Sequence, residues 1–153
     1  MSQSQSRVLG LDYGNKRVGA AVSDPRRKIA TPLEVYERRD PVQDARHYLK
    51  LKDEHDIDLV VVGLPVHSTG EESKLSKLAR AWGKWLAEQT GLTVTYYDER
   101  NTSKEAEEIL MDVGMKWRER KTRRDMLAAQ ILLRKYLDAG CPIEAAPPNE
   151  GTT

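Results

Sequence analysis

Three acids far apart in the chain, Asp12, Glu99 and Asp125, are the residues whose types and settings could do chemistry. Asp12 ends the mostly apolar run Val8-Leu9-Gly10-Leu11 and stands directly before Tyr13-Gly14. Glu99 follows Asp98 at the end of the β-branched and aromatic run Thr93-Val94-Thr95-Tyr96-Tyr97. Asp125 shares a helical face, or its edge, with Met126 and Ala129. Burying an uncompensated carboxylate is costly, so acids at the ends of apolar elements imply a cation nearby. Oxygen donors from separate elements suit hard divalent ions. Two such ions, about 3.5–4 Å apart, orient an attacking water and steady a leaving oxygen in phosphodiester hydrolysis. Plainer uses exist for each acid alone: a turn cap for Asp12, a strand exit for Asp98 and Glu99, a helix N-terminus for Asp125. Jointly they fit one site.

Cations stand beside these acids. Lys16, Arg17 and Arg100 are neighbours in sequence, placed to hold a phosphate or developing negative charge. The stretch 116–124 carries Lys116, Arg118, Arg120, Lys121, Arg123 and Arg124 against a single acid, Glu119, a local +5 in a chain whose net charge is +1. A basic block on an otherwise acidic body suits a phosphate-rich partner. The histidines His47, His55 and His67 show no ligand spacing to one another or to Cys141; His47 and His55 read as exposed, and His67 falls in the loop after Pro65. No Walker A, G-x-S-x-G or G-x-G-x-x-G motif is present.

The elements that must position these groups follow from periodicity. Arg7–Asp12 reads as a buried strand, Tyr13–Lys16 as a turn in which Gly14 supplies positive φ, Arg17–Asp24 as a second strand and Ala30–Tyr36 as a third. Asp40-Pro41 opens a helix to about Glu54 as N-cap and first-position proline, with Ala45, Tyr48, Leu49 and Lys52 on one face. Leu59–Gly63 is a continuous apolar strand of the kind covered on both faces. A helix from about Glu72 to Gln89 turns Leu75, Leu78, Ala79, Trp82, Trp85 and Leu86 inward and stops at Gly91, its tryptophans reading as core in preference to a base-stacking platform. After the strand Thr93–Tyr97, Thr102 or Ser103 caps a helix to about Met111. The last helix starts near Thr122 and runs to Ala139, with Met126, Ala129, Leu133 and Leu137 inward and Gly140 as its stop. The order βββαβαβαα predicts an α/β fold, a mixed five-stranded sheet of antiparallel meander plus parallel strands flanked by helices; several folds could use that order, and the RNase H-like one is the natural candidate.

The 153 residues suffice for one domain with its own core. The expected organisation is a disordered tail over 1–6, the domain over 7–140, and a flexible proline-containing tail over 141–153. One cysteine permits no internal disulfide, the first residues show no apolar leader, and no apolar run could cross a membrane. A cytoplasmic protein is expected.

Four motifs together resemble the YqgF (RuvX) family of bacterial RNase H-like nucleases. They are Gly10-Leu11-Asp12-Tyr13-Gly14-Asn15-Lys16-Arg17-Val18-Gly19 and its continuation to Asp24, Val62-Gly63-Leu64-Pro65, Asp98-Glu99-Arg100 with Thr102 and Glu105-Ala106-Glu107, and Lys121-Thr122-Arg123-Arg124-Asp125 leading into Ala128–Leu133. They span about residues 7 to 138 in the family's order. The loop Val66–Ser73 departs from the family's usual acidic or amide residue and glycines. The resemblance implies Asp12, Glu99 and Asp125 as an acidic site for Mg²⁺ or Mn²⁺. It also implies a structured nucleic-acid substrate: precursor 16S ribosomal RNA at its 5′ end, or branched DNA at a Holliday junction. Junction cleavage would favour a homodimer, since two symmetric strands must be cut. Of Asp98 and Glu99, strand alternation lets only one line the site, and Glu99 is the expected one. Two rivals are a catalytically silent nucleic-acid-binding module and a sugar-kinase-like ATPase fold, the latter needing two domains around its cleft.

Overall fold

A computed structural model describes residues 6–65, 73–98, 105–106, 108–109 and 117–143, with 117–122 as backbone alone. Its elements are β1 (Arg7–Asp12), β2 (Arg17–Ser23), β3 (Ala30–Glu37), α1 (Pro41–His55), β4 (Ile57–Leu64), α2 (Lys74–Thr90), β5 (Thr93–Asp98) and α3 (Trp117–Asp138). Residues 105–106 and 108–109 are helical, within the helix expected from Thr102 or Ser103 to Met111. The remainder of that helix, the loop 66–72 with His67, and residues 1–5 and 144–153 of the expected tails lie outside the described residues; Cys141 packs against the α3 core and the Pro142 carbonyl accepts from the Tyr136 hydroxyl at 2.8 Å, so the chain stays ordered past the expected boundary at 140.

The five strands lie in the order β3-β2-β1-β4-β5. The pairs β1–β2 and β2–β3 are antiparallel, and β1–β4 and β4–β5 are parallel. Alternation along the strands feeds two cores. Leu9, Leu11, Val18, Ala20, Val60 and Val62 pack on Tyr48, Leu51, Ala79, Trp82 and Leu86 of α1 and α2. Val8, Ala21, Leu59 and Val61 pack on Ala129, Leu133, Tyr136 and Leu137 of α3. Covered on both faces, β4 can be apolar from Leu59 to Leu64, and its one charged residue, Asp58, is exposed near its start and pairs with Arg27.

Local signals explain the boundaries. Asp40 accepts a hydrogen bond from the Gln43 N–H at 2.8 Å and caps α1. Gly91 closes α2 at φ +74 and Gly140 follows α3 at φ +90, backbone that glycine adopts without strain. The hydroxyl of Ser73 caps α2 by accepting from the Ser76 N–H at 3.1 Å, and donates to the Pro65 carbonyl at 2.7 Å. Ser73→Ala should therefore cost about 1 kcal/mol, read as a lower urea midpoint at unchanged slope.

Several expectations are corrected. Helix α3 begins at Trp117, not near Thr122, because Arg, Lys and Glu are good helix formers even without an apolar stripe. Asp125 thus sits more than two turns into the helix, beyond reach of its N-terminal dipole. Leu49 and Leu78 are exposed, 39% and 49%, and Leu51 and Ser76 take the buried positions beside them. His47 is half-buried, its ring stacked 3.9 Å from Tyr36 and its Nε2 against Glu34. Gly14 does not have positive φ; it is needed because a Cβ there would lie 2.6 Å from the Arg17 carbonyl oxygen.

Candidate functional site

The carboxyl ends of the parallel strands β1, β4 and β5 lie together, the position where open α/β sheets bind ligands. A cavity of about 400 Å³ opens there. Its lining includes Asp12, Asn15, Lys16, Arg17, Arg124 and Asp125, with Pro65 and Leu75 on its α2 side.

Backbone register explains how two acids 113 positions apart meet. Asp12 pairs with Gly19 across β1–β2. Alternation puts Asp12 on the face of Val8 and Gly10, which is the α3 face. A Cβ added at Gly19 would lie 2.2 Å from the Asp125 carbonyl oxygen and 3.4 Å from the Asp125 Cβ. Asp125 therefore stands directly over Gly19, one strand from Asp12, and paired residues of neighbouring antiparallel strands are about 5 Å apart. Gly10 serves the same approach: its missing Cβ leaves room for Leu133. Two glycines thus let α3 sit close enough to bring its acid to the end of β1.

Asp125 is compensated on both oxygens. Arg17 Nε donates to Oδ2 at 3.0 Å and Arg124 Nη2 to Oδ1 at 3.4 Å. The Asp125 side chain is 15% exposed, so these guanidinium groups offset a partly desolvated charge and fix its aim. Lys16 is exposed at the cavity wall.

The turn between β1 and β2 is held from below by Arg38. Its Nη1 donates to the Tyr13 hydroxyl at 3.0 Å and to the Gly14 and Asn15 carbonyls at 3.1 Å each. Its guanidinium also lies 5.0 Å from the Tyr13 ring centre. The Arg38 N–H donates to the Lys16 carbonyl at 2.8 Å. Sequence reasoning missed Arg38, Asn15 and Gly19. The available signal for Arg38 was the meander itself, which returns the end of β3 beside the start of β2.

Of the predicted set, Asp12, Asp125, Lys16, Arg17 and Arg124 line one cavity, and Arg123 is exposed on α3. Arg118, Arg120 and Lys121 lie in the first turns of α3, described as backbone alone. Glu99, Arg100 and Lys116 lie outside the described residues. Tyr97 packs edge-on to Tyr136 of α3, 5.6 Å between ring centres. Alternation then assigns Asp98 to the other face, and Asp98 does not line the cavity. Among the described residues no group of three or more His, Cys, Asp or Glu side chains could hold a metal; Asp12 and Asp125 are the two acids they bring to the cavity. Two carboxylates from separate elements, converging at strand ends, are the hard oxygen donors that Mg²⁺ or Mn²⁺ takes. No described helix is long and apolar enough to cross a membrane.

The family described as "RuvX: Holliday junction resolvase" matches residues 6–139. A protein of Rhodopirellula baltica named "Putative pre-16S rRNA nuclease" is 39% identical over 133 residues, 87% of this chain and 77% of the relative. One of the same name from Lactococcus lactis subsp. lactis is 40% identical over 137 residues, 88% and 95% of the two chains. Among solved structures, T. thermophilus RuvC in complex with Holliday junction substrate superposes with a TM-score of 0.54 at 18% identity, covering 89% of this chain and 97% of that one. The Fowlpox virus resolvase complexed with substrate Holliday junction DNA gives 0.51 at 12% identity, covering 89% and 99%. At such identities these two likenesses speak to the fold, which is the RNase H-like one expected from the sequence.

Proposed function

The chain belongs to the RuvX family, and on that premise we propose that it is a metal-dependent nuclease that hydrolyses phosphodiester bonds in structured nucleic acid, with the 5′ end of precursor 16S ribosomal RNA as its substrate in the cytoplasm. The observation that carries this is the convergence of Asp12 and Asp125, from β1 and α3, on one cation-rimmed cavity.

Asp12 and Asp125, with Glu99 as the third acid, would hold Mg²⁺ or Mn²⁺. In a two-ion arrangement the bound metal supplies Lewis-acid polarisation of the phosphate and an activated water. The protein's own groups do the remainder. Arg17 and Arg124 aim the Asp125 carboxylate and lend positive charge to the cavity, and Lys16 at its wall holds the scissile phosphate. Arg38 fixes the turn from which Lys16 and Arg17 project. Arg100 and the basic stretch Lys116, Arg118, Arg120, Lys121 and Arg123 follow the flanking phosphates, each contact adding about −0.7 to −0.9 to the slope of log affinity against log salt. Recognition is of shape, for the sequence carries no base-reading module.

A specific observation keeps a second substrate in view: the matched family is described by Holliday junction resolution. Incubation of the protein with an RNA spanning the mature 16S 5′ end, and separately with a four-way DNA junction, decides between them. RNA is expected to be cut with Mg²⁺ or Mn²⁺ and its cleavage to fall at least about a thousandfold with chelator, a barrier change of several kcal/mol. Preferential, symmetric cutting of the junction by a dimer would move the protein to recombination. Binding of both without cutting either would leave a nucleic-acid-binding module.

A further inference from the structure

The cleft does not end at Lys16. Asn15 and Lys16 line both it and a second cavity of about 390 Å³, shared with Glu37, Arg38 and Arg39. Arg38 and Arg39 in turn line a third of about 250 Å³, whose other walls include Asp44 at the start of α1 and Trp82 and Trp85 of α2. Three adjoining hollows thus pass from the α3 face, over the β1–β2 turn, to the α1–α2 face. Cations line all three, beside two acids in the first and two tryptophans in the third.

Resting on the nuclease reading above, we propose that the nucleic-acid strand leaving the Asp12–Asp125 cleft is unpaired and runs past Lys16 and Arg39 into the groove at Trp82 and Trp85, where a base stacks on the Trp85 ring. Trp82 is 7% exposed and belongs to the core, whereas Trp85 is half-buried, its ring centre 6.3 Å from that of Trp82. Trp85 therefore offers a surface that Trp82 backs. Of the acids on this route, Asp44 is buried and its Oδ1 accepts from the Tyr36 hydroxyl at 2.6 Å and the Arg39 N–H at 3.0 Å. Glu37 is exposed and opposes Lys16, Arg38 and Arg39. The balance favours a polyanion. Aromatic platforms beside cations take single strands, because only unstacked bases can lie on a ring, and they do so with little regard to sequence or sugar.

Equilibrium binding tests this, using the full chain in chelator so that cleavage does not intervene. One probe is a blunt RNA hairpin; the other is the same hairpin with an unpaired eight-nucleotide uridine extension. The extension should tighten binding about tenfold, quench tryptophan fluorescence, and steepen the log–log salt slope by roughly 1.4, about 0.7 for each of two phosphate contacts at Lys16 and Arg39. A DNA extension should act alike. In Arg39→Glu, altered at an exposed side chain, the two hairpins should bind equally. Trp85→Leu should lose the quench and most of the gain; if its melting shows it misfolded, Arg39→Glu decides. Equal affinity of the unaltered protein for both hairpins overturns the track and leaves the nuclease reading standing. Binding of neither overturns both. A gain that survives Arg39→Glu overturns the route.

Discussion

Asp12→Asn and Asp125→Asn should each lower the rate of metal-dependent RNA cleavage by at least about a thousandfold, with RNA affinity held within a few-fold. Asparagine keeps the volume of aspartate and one carbonyl oxygen, so in Asp125→Asn the amide oxygen can still accept from Arg17 Nε in place of the 3.0 Å ion pair. What it loses is the anionic oxygen that a divalent ion requires. Neutralising one acid also reduces repulsion of the phosphate, so binding should hold or tighten. Cleavage under single turnover, affinity in chelator and thermal melting together check this. If either folded variant cuts RNA at near its original rate, the acid concerned holds no catalytic ion. If instead affinity collapses in step with cleavage, the carboxylates serve binding, and the module reading regains ground.

Both acids stand out in sequence: a charged residue ends an apolar strand at Asp12, and at Asp125 one shares a helical face, or its edge, with Met126 and Ala129. The sheet was legible for similar reasons. The buried runs of β1, β2 and β4 and the Asp40-Pro41 cap are near-neighbour signals, and they placed the elements within a few residues. Contacts set by the packing of elements were not legible. The start of α3 reads five residues late because its first turns lack an apolar stripe. His47 reads as an exposed residue in a charged helix until Tyr36 and Glu34 of β3 come against it. Leu78 fits the helical stripe of α2, yet the face that packs runs through Ser76, Ala79, Gly83, Leu86 and Thr90 and leaves Leu78 to one side of it. Arg38 looks like one of many surface arginines, and only the return of β3 beside β2 gives it three oxygen partners in the turn that carries Lys16 and Arg17.

Gly19 is the sharpest instance of that kind, and its substitution carries the second large prediction. In sequence it is a small residue within a strand, of a type that marks close approach of another backbone. In the fold a Cβ there would lie 2.2 Å from the carbonyl oxygen and 2.7 Å from the carbonyl carbon of Asp125, both main-chain atoms of α3. No rotamer change relieves such a contact; the helix itself must move by about 1 Å to restore ordinary carbon–oxygen separation. Gly19→Ala should then cost about 1–3 kcal/mol as an overpacked site, and shift the Asp125 carboxylate from its place beside Asp12. Displacement of about 1 Å costs on the order of a hundredfold in rate even without loss of any reacting group. The expected result is a melting temperature lower by roughly 2–12 °C for a chain of this length, with cleavage down at least about a hundredfold. Gly10→Ala separates the two effects. Its Cβ would meet Leu133 Cβ at 2.9 Å, two turns along α3 from Asp125, so it should destabilise comparably while sparing more of the activity. A Gly19→Ala protein that melts and cuts like the unaltered chain would mean that α3 does not seat its acid over β2, and the common cavity of Asp12 and Asp125 would go with it.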